Sequence, residues 1–405
     1  MGATGEKGLP LLRGASLGST KFTPPATIVP MSPLPSLGLR ALVLATALPL
    51  TGAAQSQAGR PALPTTGVDF TGVDQFYRIA DVYAKGAVPT NAQWTALFDT
   101  PGYQLVENVH EGFRAQVELA LSPALRARRD SVLAGDGEQA RAIRHLVRAG
   151  AERAKVLAGV AALRASMGDS IALAKPLTAR YLPAGTIDRF PTPLIAYAVF
   201  GDDGFAEEEG ILLDPLYIAD NGAVTLLSHE FHHSYSLMIT GTAELERVMA
   251  LASRPDAPLY LAIMHLRNEG IADQIDKTYP HEEHSPALAW YAAGYNRAYA
   301  ATPRVLQSFD SLLVAYADHP NAATAHRAQG LFWSNGHPNG AYLARTVAQT
   351  FGIDSLMPAI ADPFALIRTY REALAKRGEP DAFSAKALAL LDSLHAVYGP
   401  AAHAR

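Results

Sequence analysis

The most constraining stretch of this 405-residue chain is LLSHEFHHSY, Leu226 to Tyr235, where three histidines and a glutamate fall within five positions of a sequence holding only 13 histidines. Asp220 is a good N-cap and Gly241 a good stop, so the sequence predicts a helix over roughly Asn221 to Thr240. Val224, Leu227, Phe231 and Met238 recur at helical spacing, which asks for a core on that side. His229 and His233 are four apart and share a face, about 40° apart around the helix and about 6 Å along it. Two imidazoles so placed can grip one tetrahedral zinc. Glu230 lies beside them and can reach a water at the metal without binding the metal itself. Pairing His229 with His232 instead would leave no glutamate in that place, so His232 reads as a packing or supporting residue.

A catalytic zinc needs a third protein ligand and an open position. The segment APLYLAIMHLRNEGIADQID, Ala257 to Asp276, is predicted helical, with Pro258 suited to its first turn. Glu269 and Asp273 are again four apart and share a face. Glu269 can complete a His-His-Glu set. Asp273 can accept the far N–H of a zinc-bound histidine, fixing its tautomer and raising its basicity.

His229-Glu230-x-x-His233 followed by Asn268-Glu269-x-x-x-Asp273 resembles the gluzincin metallopeptidases, the thermolysin-like clan, and bacterial proteins described as zinc-dependent peptidases. The resemblance implies Zn²⁺ as cofactor, Glu230 as general base, Glu269 as third ligand and Asp273 as support for a ligand histidine, with Asn268 beside the ligand. It also implies a histidine or tyrosine further on that donates to the developing oxyanion. NGHPNGAYLARTV, Asn335 to Val347, offers His337 first and Tyr342 second, and Gly340 would let their helix approach closely. One departure is the gap of 36 positions from His233 to Glu269 (269 − 233), longer than in the best-known members and roomy enough for an extra helix over Glu244 to Ser253. The resemblance therefore carries no subfamily or substrate. His281 and His284 of YPHEEHSP read as part of an exposed loop before a helix start at Ser285-Pro286.

The absence of cysteine excludes disulfides, thiolate metal sites, cysteine nucleophiles and an acylated lipoprotein anchor. A net charge of -4 gives no reason to expect nucleic acid or an anionic membrane as partner. RALVLATALPL, Arg40 to Leu50, followed by the small residues of TGAAQSQAG, has the order of a secretory signal. It lies behind a polar extension, with Met31 as an alternative start and cleavage expected after Ala54 or Ala58. The run is too short to span a bilayer, and nothing later reads as a membrane helix. The expected location is secreted or periplasmic, without a stable membrane anchor.

Four segments follow: a leader and signal peptide over 1–58, a helical N-terminal part over 59–180, a zinc-binding core over 181–280, and a helical C-terminal part over 281–405. The Arg-rich run Pro123 to Ser166 reads as a solvated helix face. PLIAYAVF, Pro193 to Phe200, and GILLDPLYI, Gly210 to Ile218, read as strands, the second an edge strand because of Pro215. The acidic GDDGFAEEEG between them reads as a solvated turn. The expected fold is α+β and mainly helical, with a small mixed sheet whose edge strand lies beside the HExxH helix. A peptide or protein substrate would add to that edge and cross the zinc. The expected activity is a zinc peptidase. A zinc amidase or esterase on a non-protein substrate, and a non-catalytic secreted helical binding protein, are the rival expectations. No motif sets an oligomeric state.

Overall fold

Two helices carry the paired motifs, and the surrounding chain buries both. The computed structural model describes residues 61–110, 112–241, 250–283 and 285–400. The expected leader and signal, His284, and most of the helix expected over Glu244 to Ser253 lie outside them.

The chain begins with strand β1 (Gly67–Asp69) and helices α1 (Thr71–Ala84), α2 (Asn91–Phe98), α3 (Pro101–Val109), α4 (Phe113–Leu121), α5 (Arg126–Leu133), α6 (Glu138–Ala151) and α7 (Arg153–Ala179). Short α8 (Thr186–Arg189) leads into strands β2 (Leu194–Tyr197), β3 (Gly204–Glu207) and β4 (Gly210–Leu213), then α9 (Pro215–Asn221), α10 (Val224–Thr240) and α11 (Ala257–Asp276). The remainder is α12 (Ala289–Asp318), α13 (Ala322–Gln329), α14 (His337–Phe351), α15 (Met357–Ala361), α16 (Pro363–Arg377) and α17 (Ala385–Tyr398). The mainly helical α+β architecture is thus as the sequence implies.

Sheet order is β1-β2-β4-β3. β1, β2 and β4 run parallel, and β3 is antiparallel to β4, with Phe205 opposite Leu212. β2 and β4 are buried along their whole length, which explains their continuous apolar runs LIAY and GILL. Here the expected edge strand is corrected. β4 is interior and ends at Leu213. Pro215 lies in the first turn of α9, where its missing N–H costs nothing, and the Asp214 side chain caps that helix at Leu216 and Tyr217. Among the described residues the edge strands are β1 and β3, and β3 lies inside the segment expected to be a solvated turn.

α10 lies against β3 and β4, and packs on α7 and α11. It begins at Val224 rather than Asn221. Asp220 is not its cap but sits in α9, ion-paired with Arg148 of α6 and with Lys155. The expectation that nothing after the signal could be a membrane helix also needs correction. α7 is long and apolar enough by length and composition. Its Val156, Val160, Leu163 and Met167 are buried in the core, against α10 and α9.

Candidate metal centre

α10 and α11 cross so that the i, i+4 pair of one faces the glutamate of the other. The His229 and His233 Nε2 atoms are 3.0 Å apart. Glu269 Oε2 lies 3.2 Å from His233 Nε2 and 3.6 Å from His229 Nε2. Ligands bonded at 2.0–2.1 Å around a tetrahedral zinc stand about 3.3–3.4 Å from one another. These three separations, 3.0, 3.2 and 3.6 Å, bracket that edge length. Glu269 Oε2 is also buried without a hydrogen-bond partner, a cost that a cation removes. The residues fit a zinc ion.

The supporting contacts differ from expectation in one respect. His229 Nδ1 lies 2.9 Å from Asp276 Oδ1 and 3.7 Å from Asp273 Oδ1. Asp276, itself ion-paired with Lys277, is therefore the partner of the ligand histidine. Asp273 instead accepts from Tyr295 Oη at 3.0 Å and holds His337 Nδ1 at 3.0 Å. Glu269, Asp273 and Asp276 are spaced i, i+4, i+7 on one helical face, so the pattern that singled out the first two also contains the third.

Glu230 is 3% exposed, and its Oε2 has no hydrogen-bond partner. Burial pushes its carboxyl up to about 8. Burial opposes the charged form of Glu269 too, but the His337 and His233 imidazoles outweigh it and hold that carboxyl well below its usual range. His232 is buried and points away from the cluster, its Nε2 at 3.2 Å from the Tyr181 carbonyl oxygen, which is a packing role.

α14 reaches the cluster because two glycines let it. A Cβ on Gly340 would lie 2.1 Å from the Leu266 carbonyl oxygen, and one on Gly270 would lie 2.4 Å from the Gly340 carbonyl carbon. The close approach expected of Gly340 is present. It brings His337 Nε2 to 3.2 Å from Glu269 Oε2. The turn that delivers His337 is left-handed at three successive residues, Ser334 (φ 48°), Asn335 (φ 50°) and Gly336 (φ 87°). Two of the three are not glycine, a conformation that persists only where surrounding structure enforces it. Tyr342 does not reach the site. Its ring packs on Tyr299 and Tyr370, on another face of α14.

One cavity of about 1180 Å³ adjoins His229, Glu230, His233, Asn268, Glu269 and His337. Its walls also include Asp203 at the start of β3, Arg148 and His145 of α6, and Tyr291 of α12. Tyr291 packs against Trp333, with ring centroids 5.2 Å apart. Sequence reading missed it, although Tyr291, Tyr295 and Tyr299 recur at helical spacing on one face of α12. His281, beyond this group, pairs with Glu283 at 3.0 Å.

The wall formed by α6 is locked to the sheet. His145, with its side chain 1% exposed, lies 2.8 Å from Asp202 Oδ1 and 2.8 Å from Asp214 Oδ2. Asp214 Oδ2 also accepts the backbone N–H of Phe200 at 2.9 Å. Burial alone would lower the imidazole pKa, but the two carboxylates raise it to about 10.

Fold and site together make a mainly helical α+β protein in which three residues on crossing helices could hold a zinc ion, with a buried carboxyl group beside them. The chain belongs to the family described as “Putative zinc dependent peptidase (DUF5700)”, whose model matches residues 94–379, from within α2 to just past α16. That stretch includes every residue of the centre. Searches of curated proteins and of solved structures gave no match.

Proposed function

We propose that this protein is an exported zinc peptidase of gluzincin type, acting on peptides that lie along the free edge of β3. The observation that carries the reading is Glu230, a buried carboxylate with an unpartnered oxygen in the same cavity as the His229, His233 and Glu269 ligand atoms. A structural zinc site is closed by four protein ligands and has no use for such a group.

His229, His233 and Glu269 would hold the ion. When bound, zinc polarises a carbonyl and lowers the pKa of a water toward about 7. Glu230, ionised once the charge of a bound cation offsets its burial, would take the proton of the attacking water and hand it to the leaving amine. His337, with Nδ1 fixed by Asp273, turns Nε2 toward the carbonyl oxygen as charge gathers there. Tyr291, on the cavity wall, can add a second donor. Among the described residues β3 pairs only with β4, so a substrate strand can satisfy its other edge.

The reading is tested by zinc content and by peptide hydrolysis of the purified chain, with and without a chelator. Full zinc occupancy without cleavage of any peptide in a diverse library would end it. Export rests on Arg40 to Gly59. Mass spectrometry of the exported protein should find a start near Gln55 or Gly59, and an intact 1–58 segment would refute it.

A further inference from the structure

Asp202 and Asp203 are neighbours in the sequence with opposite circumstances. Asp202 is neutralised, at 2.8 Å from His145 and 3.8 Å from Arg148. Asp203 lines the cavity, and no lysine, arginine or histidine among the described residues comes within 4.0 Å of its carboxylate. Among the described residues its carboxylate accepts one hydrogen bond, from the backbone N–H next door, Gly204 N to Oδ1 at 2.9 Å. The second oxygen is left for whatever enters.

The position is fixed rather than mobile. The Asp203 carbonyl accepts from Asp214 N at 3.2 Å, and its own N–H reaches the Gly201 carbonyl at 2.8 Å. The clamp of His145 on Asp202 and Asp214 holds the same loop from the other side. Asp203 is also close to the chemistry. Its charge acts on Glu230, and it feels His229, His337 and Lys277. Removal from bulk water pushes its carboxyl up to about 6, so it is mostly ionised at neutral pH. A half-buried carboxylate without a cation, rigidly placed at the entry to the free edge strand, is an arrangement that a cationic ligand completes.

We infer that Asp203 is a specificity-determining residue that receives an ammonium group of the substrate peptide beside the scissile bond. This rests on the peptidase reading. Two parts of a peptide supply that chemistry, the α-amino terminus and a lysine side chain, and the test separates them.

Three kinds of peptide built on one parent sequence suffice: one with a free N-terminus and no lysine, an acetylated series with a lysine placed in turn at each position near the cut, and one acetylated without lysine. Zinc-loaded wild type should favour at least one ammonium-bearing peptide over the blocked neutral one by roughly 10- to 100-fold in kcat/KM, the worth of a charge-assisted hydrogen bond. Whichever peptide is favoured identifies the source. Asp203→Asn keeps an oxygen for Gly204 N and removes the charge, so it should abolish the preference at unchanged zinc content. Competition in wild type needs no variant: a simple alkylammonium ion should inhibit more strongly than its acetylated counterpart. Equal treatment of all three kinds by active wild type, or a preference that survives in Asp203→Asn, overturns the inference. If no peptide is cleaved at full zinc occupancy, the peptidase reading itself falls and takes this one with it.

Discussion

Gly270 and Gly340 meet backbone to backbone, so the helix bearing Glu269 and the helix bearing His337 touch with no side chain between them. Alanine at either position cannot be absorbed by rotating a flexible side chain, because the obstructing atoms are main-chain. Gly340→Ala should cost at least about 1–3 kcal/mol, the usual range for overpacking. It should also push His337 away from Glu269. Thermal unfolding and zinc affinity should both fall, and a variant as stable as wild type would show that the helices are not so closely held.

Zinc should bind at about one per chain. His233→Ala should remove most of it, read by elemental analysis after reconstitution. Unchanged content would move the metal elsewhere.

Asp276→Asn and Asp273→Asn should separate. Asp276 holds His229, so its change should weaken zinc binding by roughly 10- to 100-fold. Asp273 holds His337, so its change should lower turnover while the protein still fills with zinc at modest concentration. The reverse pattern in zinc titrations followed by kinetics would restore Asp273 as the ligand's support.

Glu230→Gln keeps size and shape and removes the base. Zinc content and folding should survive while turnover falls by about 10²- to 10⁴-fold. Wild-type turnover in this variant would contradict the mechanism even in an active enzyme.

His145 predicts a pH dependence of stability. Its folded pKa is near 10 against an ordinary 6.5, so the folded state holds the proton more tightly. The stabilisation is therefore complete below about pH 6.5, shrinks as pH rises, and is gone above about pH 10. His145→Gln should be less stable by about 3–5 kcal/mol near neutrality, because Asp202 and Asp214 lose their cation. The gap to wild type should close in denaturant melts taken toward pH 10. A gap constant across that range would mean the histidine is neutral.

His229 and His233 were legible as a pair because helical periodicity alone sets which residues share a face, whereas Glu269 lies on a second helix, was picked out by its place in the paired motif, and meets the histidines only because α10 and α11 cross. Asp276 was equally available on the same periodicity, but no motif drew the eye past Asp273. The sheet was less legible. Pro215 signals either an edge strand or a helix start, and burial decided for the second. Asp203 and β3 were hidden by composition: GDDGFAEEEG looks solvated, yet β3 pairs with β4 and Asp203 turns into a cavity. Tyr291 and Tyr342 are both tyrosines on long helices, and only the packing of α12 and α14 says which reaches the site.

β1 pairs with a strand 127 positions later (194 − 67), and His337 comes 108 positions after His229 (337 − 229). Helices can form as soon as they are made, but the sheet and the floor of the cavity wait for distant chain. The site is therefore expected to form late in folding. In refolding from denaturant, helical signal should recover first, and tight zinc uptake should arrive together with hydrolytic activity. Partly folded chains would then carry the metal-binding motif without a working cavity around it, so that cleavage waits on completion of the fold.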